Sequence, residues 1–507
     1  MKKRLALYST ILVLILLGGI GLVAGSAGSA AELRPAACFA TSPGTGGKTY
    51  FVDPVHGRDD GDGSAARPWR SLQTVLAGKL VGDHIRDATL PQKLVARVKG
   101  NRRDIPLRMN GDAVVHGGDT ILLRSGAHGR ISIASLANDR PITIAAASGA
   151  TAQVDGIAVA DARNFTFRNL LVAPARTERQ GYLVTTRPAP DVRISRDIRF
   201  VGLTLDGPGS IATTDPAEWA SRGQSGALLA GDCLSFEDGK IRDVRFGFVV
   251  YQSERVTVAR NEVRGFSVDG VDFSGNDIVI ADNVIADHWP TGDDLHPDCM
   301  QGQTSDSGPP YARIRITGNI CLSDTGERHS KNLQGINIFI GRWKDVTVSC
   351  NFVRPTIYHG IAMYGVDNAT IDRNVVVGWR NEYPAWIGAF RSASGRQPAG
   401  NVISNNEAIA FINAIHGGSV SPDRVMDSFR MGANDREFRA IVGPTITGVT
   451  LTGNAWIAPG PDLSHDPRFH KAGEAAPAGA LSVDEARARL RKVCPSVVAS
   501  GDAGASA

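Results

Sequence analysis

A short phrase of alternating apolar residues followed by an asparagine recurs along the chain. It has the form apolar-x-apolar-x-x-Asn-x-apolar, and we assign copies at Asn169, Asn261, Asn283, Asn319, Asn351, Asn374 and Asn454. From Asn261 to Asn374 the copies are 22, 36, 32 and 23 residues apart. This spacing indicates coils of three short strands in which one turn carries variable loops. The alternation places Val and Ile inward, and we expect each asparagine to hydrogen-bond to its copy on the next coil.

Ordinary turn asparagines in a β-sandwich or a propeller are the alternative interpretation of this pattern. The repeated order of strand, asparagine and strand favours stacked coils over antiparallel hairpins. Glycine is frequent, at 57 residues, and aromatic residues make up only 6% of the chain, which suits short strands joined by tight turns. We therefore predict an all-β, single-domain solenoid over residues 48–480.

Each end of the solenoid is predicted to carry a helix. Near the start, Trp69, Leu72, Val75 and Leu76 have helical spacing, after a short strand and a Gly/Asp loop. Residues 79–115 form an insertion before the strand pattern resumes at GGDTILLRSG. Near the end, LSVDEARARLRKV predicts a helix within 481–496, with Ser482 and Glu485 as a capping box. Residues 497–507 are predicted to be a disordered tail.

The N-terminus predicts export. Residues 1–31 combine KKR, a long apolar run and small residues, which is the pattern of a signal peptide, with an uncleaved anchor as the alternative. A linker follows over 32–47. We predict a secreted or periplasmic monomer with no other membrane segment. The net charge of +4, without a long basic run, argues against a nucleic-acid partner and is compatible with an acidic one.

The six cysteines show no metal-binding spacing. In an oxidising compartment we expect Cys38 and Cys494 to join the two ends of the domain. The other four cysteines, Cys233, Cys299, Cys321 and Cys350, are expected to be small buried apolar residues.

The start of the body resembles that of the secreted right-handed parallel β-helix proteins of the pectate-lyase-like superfamily. The matching residues are YFVDP, the Gly/Asp loop, PWRSLQ and GDTILLRSG, which correspond to a strand, a loop, a capping helix and the next strand. The resemblance implies a right-handed parallel β-helix with an N-terminal capping helix and a short C-terminal helix. It also implies an acidic polysaccharide as substrate.

Stacked coils place equivalent residues in files, and the strands DGVDF, DCMQG, QGINI and HGIAM can be aligned in this way. The residues predicted to point inward are Val271, Met300, Ile336 and Ile361. The residues predicted to form one outward file are Asp272, Gln301, Asn337 and Ala362. A second outward file of small residues is predicted from Gly270, Cys299, Gly335 and Gly360. The strands begin with Asp269, Asp298, Gln334 and His359. Together these files predict a groove for an extended polymer.

Acids and histidines gather at the end of one coil, in GDDLHPD. The catalytic candidates are His296, Asp298, Lys331 and His359. The candidate substrate-binding residues are Asp269, Asp272, Gln301, Gln334, Asn337, Arg342 and Tyr364. The structural alternative is that the acids belong to turns and cap local amides.

Three reactions are compatible with these residues. Lyases of this superfamily often pair a Lys, Arg or His base with acidic Ca²⁺ ligands, so the resemblance implies β-elimination with Lys331, His296 or His359 as base and Ca²⁺ on Asp293, Asp294 and Asp298. Hydrolysis by paired carboxylates is the runner-up. SVDG and GDD are similar to two polygalacturonase motifs, but the Gly-His-Gly and Arg-Ile-Lys motifs are missing. Epimerisation of a uronate is the third reaction, and a non-catalytic solenoid that binds polysaccharide would also fit the sequence.

Overall fold

Three parallel sheets form the body of the protein. The computed structural model describes residues 38–39, 46–87, 89–99, 105–174, 181–187, 192–207, 223–289, 297–325, 332–356, 359–378, 385–392, 394–408, 410–412, 449–456 and 481–495. Each coil contributes one strand to each sheet in turn, and every strand pairs in parallel with its equivalents on the neighbouring coils.

The first sheet contains Thr49–Val52, Thr120–Leu123, Leu136–Ala146, Arg163–Arg168, Ser195–Val201, Gly231–Glu237, Phe248–Ala259, Val271–Ala281, Tyr311–Thr317, Trp343–Ser349, Val366–Asp367, Thr370–Asp372, Asn401–Ser404 and Val449–Thr452. The second sheet contains Gly126–Ala127, Ala152–Val154, Leu171–Val172, Thr204–Asp206, Lys240–Val244, Glu262–Phe266, Val284–Ala286, Ile320–Leu322, Phe352–Arg354, Val375–Val376, Glu407–Ala408 and Ala455–Trp456. The third sheet contains Arg130–Ala134, Gly156–Ala160, Tyr182–Thr185, Ser225–Leu229, the beginnings of Phe248–Ala259 and Val271–Ala281, Asp298–Gln303, Gln334–Ile340, His359–Tyr364, Trp386–Phe390 and Ala410–Ile412.

Parallel coils of this kind make a parallel β-helix, and the predicted all-β fold class is confirmed. Its right-handed sense is the one that crossovers between parallel strands adopt. The core is a column of aliphatic and aromatic side chains between the sheets, since alternate residues of each strand point inward. Phe167, Phe200 and Phe236 occupy equivalent inward positions on three coils, with ring centroids 5.3 and 5.6 Å apart.

An asparagine ladder fixes the register between the coils. The backbone amide of Asn261 donates to Oδ1 of Asn283 at 2.9 Å, and Asn283 donates in the same way to Asn319 at 3.0 Å. The ladder continues through Asn351, Asn374, Asn406 and Asn454. The predicted bonds between asparagine copies are therefore confirmed from Asn261 onward, and Asn406 is a member that the sequence pattern did not reveal.

The assignment of Asn169 to the ladder is wrong. FTFRN has one residue fewer between its apolar pair and its asparagine than the other copies have, so the ladder position falls on buried Leu170. Asn169 instead has a positive φ of 54°, as do Arg260 and Asp282, the residues that precede ladder asparagines. Left-handed conformations are tolerated by asparagine, which suits Asn169 to this corner.

One helix lies near each end of the solenoid, and a further helix lies in the 79–115 insertion. Helix α1 (Leu72–Ala77) begins at Ser71 and buries Leu72 and Val75. The 79–115 segment holds helix α2 (Leu90–Lys99) and a short antiparallel pair, His84–Ile85 with Arg108–Met109. Helix α3 (Val483–Val493) begins with the capping box of Ser482 and Glu485. In the described segments no helix has the length and hydropathy of a membrane span.

The disulfide bonds differ from the sequence expectation. The observed pairs are Cys38–Cys233, Cys299–Cys321 and Cys350–Cys494, so Cys38 does not pair with Cys494 and the other four cysteines are also bonded. The reason is geometric, since a disulfide requires Cα atoms about 4.4–6.8 Å apart and chain ends on opposite ends of a solenoid do not meet. Cys350–Cys494 fastens the end of α3 to the coil beneath it. The predicted signal peptide and the disordered tail lie outside the described residues, and the domain boundaries stay predictions.

We predict that Asn319→Ala destabilises the fold. The Oδ1 atom of Asn319 accepts from both the backbone and the side-chain amide of Asn283, at 3.0 and 2.9 Å. Each buried donor left without a partner costs about 1–3 kcal/mol, so we expect the free energy of unfolding to fall by about 2–5 kcal/mol. Urea denaturation measures this difference. Arg315→Ala, an exposed change on the same coil, serves as the control, and equal unfolding free energies for both variants would contradict a role for the ladder.

Candidate active site

The predicted polar file lies on the third sheet. Val271, Met300, Ile336 and Ile361 are aligned on successive coils and are fully buried, as predicted. Their neighbours Asp272, Gln301, Asn337 and Ala362 are aligned beside them. The alignment places residues from four coils on one face, although they are separated by up to 90 positions in the sequence.

The second outward file is wrong, because its members point inward at a corner of the coil. A Cβ atom on Gly270 would lie 2.4 Å from a methyl group of Ile285, and one on Gly335 would lie 2.7 Å from a methyl group of Val353. Cys299, in the same file, forms its disulfide with Cys321 inside the core. Glycine is required here because the second and third sheets approach closely. These positions do not line a substrate groove.

Asp298 is the centre of a buried hydrogen-bond network. Its Oδ2 accepts from Nε2 of Gln301 at 2.6 Å, and its Oδ1 accepts from Nδ2 of Asn337. Its own backbone amide donates to Oδ1 of Asp269 at 2.7 Å. Asp298 and Asn337 are completely buried. The network therefore joins three coils through groups that solvent does not reach.

A tyrosine and a histidine continue the network on the next coil. Gln334 Oε1 accepts from Asn337 Nδ2 at 3.3 Å and lies 2.5 Å from Nδ1 of His359. Because that oxygen is an acceptor, His359 donates from Nδ1, and its Nε2 can accept from the Tyr364 hydroxyl at 3.3 Å. In the tautomer with its proton on Nδ1, His359 is placed to take a proton from Tyr364, which is only partly buried.

Aromatic rings enclose the His359 side of the network. His359 meets Trp386 and Phe339 edge-on, with centroids 4.8 and 5.3 Å away. Tyr364 stacks on Phe390 at 4.7 Å. Trp386 and Phe390 are fully buried, so these rings act by holding His359 and Tyr364 in place.

Burial raises the pKa of all three aspartates. The pKa of Asp269 rises to about 7, although the hydrogen bond from the Asp298 amide opposes the rise. Burial and then the charge of Asp269 raise the pKa of Asp272 well above its usual range. The same two causes raise the pKa of Asp298, against the amides of Asn337 and Gln301. One oxygen of Asp272, Oδ1, is buried and has no hydrogen-bond partner among the described residues. At neutral pH the cluster thus keeps protons that ordinary aspartates lose.

The predicted calcium set stays a prediction, because Asp298 is the one member of it that the structure describes. Both carboxylate oxygens of Asp298 accept amide hydrogen bonds, from Gln301 and Asn337. Within the described ranges no group of three His, Cys, Asp or Glu side chains converges on a point that could hold a metal. Asp293 and Asp294 lie outside the described residues, as do the catalytic candidates His296 and Lys331.

Arg342 is the described candidate that the structure separates from the network. It lies exposed beside Trp343, where the chain enters the first sheet, and it donates to the carbonyl of Gly308 at 3.4 Å. The aromatic residues Phe339, Trp386 and Phe390 were missed in the sequence. The alternation in WIGAF predicts a strand, but its position beside HGIAM depends on a loop of variable length.

Comparisons with known proteins find similar solved structures but no family. No family model and no curated protein matches the sequence. Among solved structures, a mannuronan C-5 epimerase A-module from Azotobacter vinelandii is 15% identical with a TM-score of 0.43, covering 68% of this chain and 92% of its own. A family 136 lacto-N-biosidase from Eubacterium ramulus is 12% identical with a TM-score of 0.40, covering 73% and 68%. A family 6 polysaccharide lyase from Pseudopedobacter saltans is 13% identical with a TM-score of 0.39, covering 73% and 95%.

The chain is a parallel β-helix protein. Its own strand pairing establishes this, and the resemblance to the pectate-lyase-like superfamily is confirmed as a resemblance of fold. At these identities the solved structures differ in the reaction that their names state, so the choice of reaction depends on the residues of this chain.

We predict that Asp269→Asn flattens the dependence of stability on pH. The folded-state pKa of about 7 lies above the ordinary value of 3.8. The folded state therefore binds more protons than the unfolded state between these values, and the free energy of unfolding falls as pH rises through about 7. At about 1.36 kcal/mol per pKa unit, this group contributes a decrease on the order of 4 kcal/mol.

Urea denaturation at about pH 5 and pH 8 measures the part of the decrease that lies above pH 5, about 3 kcal/mol. Asn at position 269 keeps an oxygen for the Asp298 amide, so the variant should lose the titration rather than the hydrogen bond. The exposed change Asp306→Asn should keep the wild-type slope. Equal slopes in wild type and Asp269→Asn would show that Asp269 is ionised in the folded protein at both pH values.

Proposed function

We propose that this protein is an exported enzyme that cleaves a uronate-containing polysaccharide by β-elimination. The observation that carries the proposal is the Tyr364–His359 pair beside a cluster of amides and proton-retaining acids. In this reaction a base removes the proton next to the uronate carboxylate, a double bond forms between C4 and C5, and the bond from C4 to the leaving oxygen breaks.

The neutral acids suit an anionic substrate. A uronate carboxylate would be repelled by three ionised aspartates, whereas a protonated carboxyl donates a hydrogen bond to it. Asp272 is partly exposed and its pKa is raised well above the usual range, so it can donate to a uronate carboxylate. Three coil steps, about 14 Å, separate Asp272 from the strand of Tyr364, so that carboxylate belongs to a neighbouring, non-reacting unit.

The Tyr364–His359 pair supplies the proton transfers. Neutral His359 accepts the hydroxyl proton at Nε2, which makes the Tyr364 oxygen a base for the proton at C5. The same hydroxyl, once protonated, can protonate the leaving oxygen. Asp298 then has a positioning role, since its oxygens hold the amides of Gln301 and Asn337. The predicted catalytic roles of His296 and Lys331 stay predictions.

Hydrolysis is less well supported by these residues. A pair of catalytic carboxyls needs surroundings that move their pKa values apart, so that one is an acid while the other is ionised. Here burial raises the pKa of Asp269, Asp272 and Asp298 together. The three disulfides support export, because such bonds persist mainly in oxidising compartments.

A panel of uronate polymers tests the proposal. Elimination creates ultraviolet absorbance from the C4–C5 double bond in step with new reducing ends. Reducing ends without absorbance would identify a hydrolase, and a change in uronate composition by NMR without cleavage would identify an epimerase. Binding without any of these changes would leave a polysaccharide-binding protein.

We predict that Tyr364→Phe lowers kcat by about 100-fold or more, the usual contribution of a general acid or base. The change removes only the hydroxyl and keeps the ring that stacks on Phe390. Tyr50→Phe is the matched control, because it removes a hydroxyl that bonds to Val114 at the N-terminal end of the solenoid. Wild-type turnover in Tyr364→Phe would remove Tyr364 from the mechanism.

A further inference from the structure

The third sheet continues on the N-terminal side of Asp272 with a surface of different chemistry. Thr185, Leu228, Val249 and Asp272 are aligned on successive coils. Two residues further along each strand, the corresponding positions hold Arg187, Ala230 and Tyr251. These positions belong to the face that carries Asp272, but no sequence motif singles them out.

The side chain of Arg187 crosses the neighbouring coil, which carries Ala230, and lies over Tyr251 on the coil beyond it. Its guanidinium carbon is 4.9 Å from the centroid of the tyrosine ring. Ala230, the residue in between, is small and buried, so it leaves the long side chain a path across the strand. Arg187 itself is exposed. A guanidinium held over an aromatic ring keeps its planar N–H groups directed outward, where they can bind a carboxylate through two hydrogen bonds.

Tyr182 and Arg245 join this surface to the aspartate cluster. Burial raises the pKa of Tyr182 to about 12, the charge of Asp272 adds to the rise, and Arg187 and Arg245 oppose it. The Tyr182 hydroxyl therefore stays protonated and can donate. Asp272, Arg187 and Arg245 each lie close enough to Tyr182 to shift its pKa.

The aspartate cluster and the surface around Arg187 would bind an anion through different groups. The aspartate cluster offers neutral donors, whereas the second surface has two cations, Arg187 and Arg245. The Arg187 guanidinium lies over Tyr251, and four coil steps of about 4.8 Å, about 19 Å in all, separate the Tyr251 strand from the Tyr364 strand. A sugar carboxylate bound at Arg187 therefore belongs to a different sugar unit from the one beside Tyr364.

We propose that Arg187 and Tyr251, supported by Tyr182 and Arg245, form a second subsite that binds a non-reacting uronate unit of the polymer. The proposal rests on the proposed function for its substrate class. It adds that the polymer lies across the coils, and that charge recognition is made at a distance from the reacting unit.

Isothermal titration calorimetry with uronate oligosaccharides tests the subsite. The Tyr364→Phe background prevents turnover from consuming the ligand. We expect Arg187→Ala to weaken binding about tenfold, which is the effect of losing one charge-assisted interaction. Arg187→Lys should recover only part of the loss, because lysine has no planar pair of donors. Arg315→Ala removes an exposed arginine from the first sheet and should bind as the background does.

Carboxyl-reduced, neutral oligosaccharides of the same length complete the test. Their affinity should be the same with and without Arg187, since they carry no anion. Equal uronate affinity in Arg187→Ala and the background would overturn the subsite, as would the absence of any uronate binding. Weaker uronate binding in Arg187→Ala, with no double-bond absorbance from the wild type, would support the subsite and reject β-elimination.

Discussion

Register between the parallel coils is the constraint on which the rest of the structure depends. Each ladder asparagine satisfies buried amides of the coil before it, so a slip of one residue would leave those donors unpaired and turn Val and Ile outward. Loops absorb the difference between spacings of 22 and 36 residues without disturbing the ladder. Because the ladder fixes the coils from Asn261 onward, Asp272, Gln301 and Asn337 are aligned on the third sheet as well.

Regular stacking also explains how the fold tolerates three buried acids. Removing an ionised carboxylate from water costs more than a hydrogen bond recovers, so a buried carboxyl usually stays protonated. The backbone amide of Asp298 and the amides of Gln301 and Asn337 satisfy part of the polar surface. The same burial that makes the cluster costly at high pH keeps it from repelling an anionic sugar.

The sequence was sufficient for features that repeat on every coil and insufficient for features that depend on one coil. The Asn-containing phrase predicted the ladder, and alternation predicted that Val271 and Met300 point inward. Alternation failed at Gly270, because the strand turns a corner there and two successive residues point inward. The partner of Cys38 could not be predicted, since pairing depends on which coil a distant segment crosses. The position of Trp386 beside His359 could not be predicted either, because it depends on the length of the loop between their strands.

The polarity of the third sheet changes along the solenoid, and this change gives the face a direction. Arginines and tyrosines precede Asp272, protonatable acids and amides follow, and the rings around His359 come last. Under the proposed function, a polymer with a carboxylate on every unit would meet cations, then neutral donors, then the Tyr364 hydroxyl. Under the proposed function, the contact at Arg187 would hold the polymer away from the reacting unit, where it binds ground state and transition state alike.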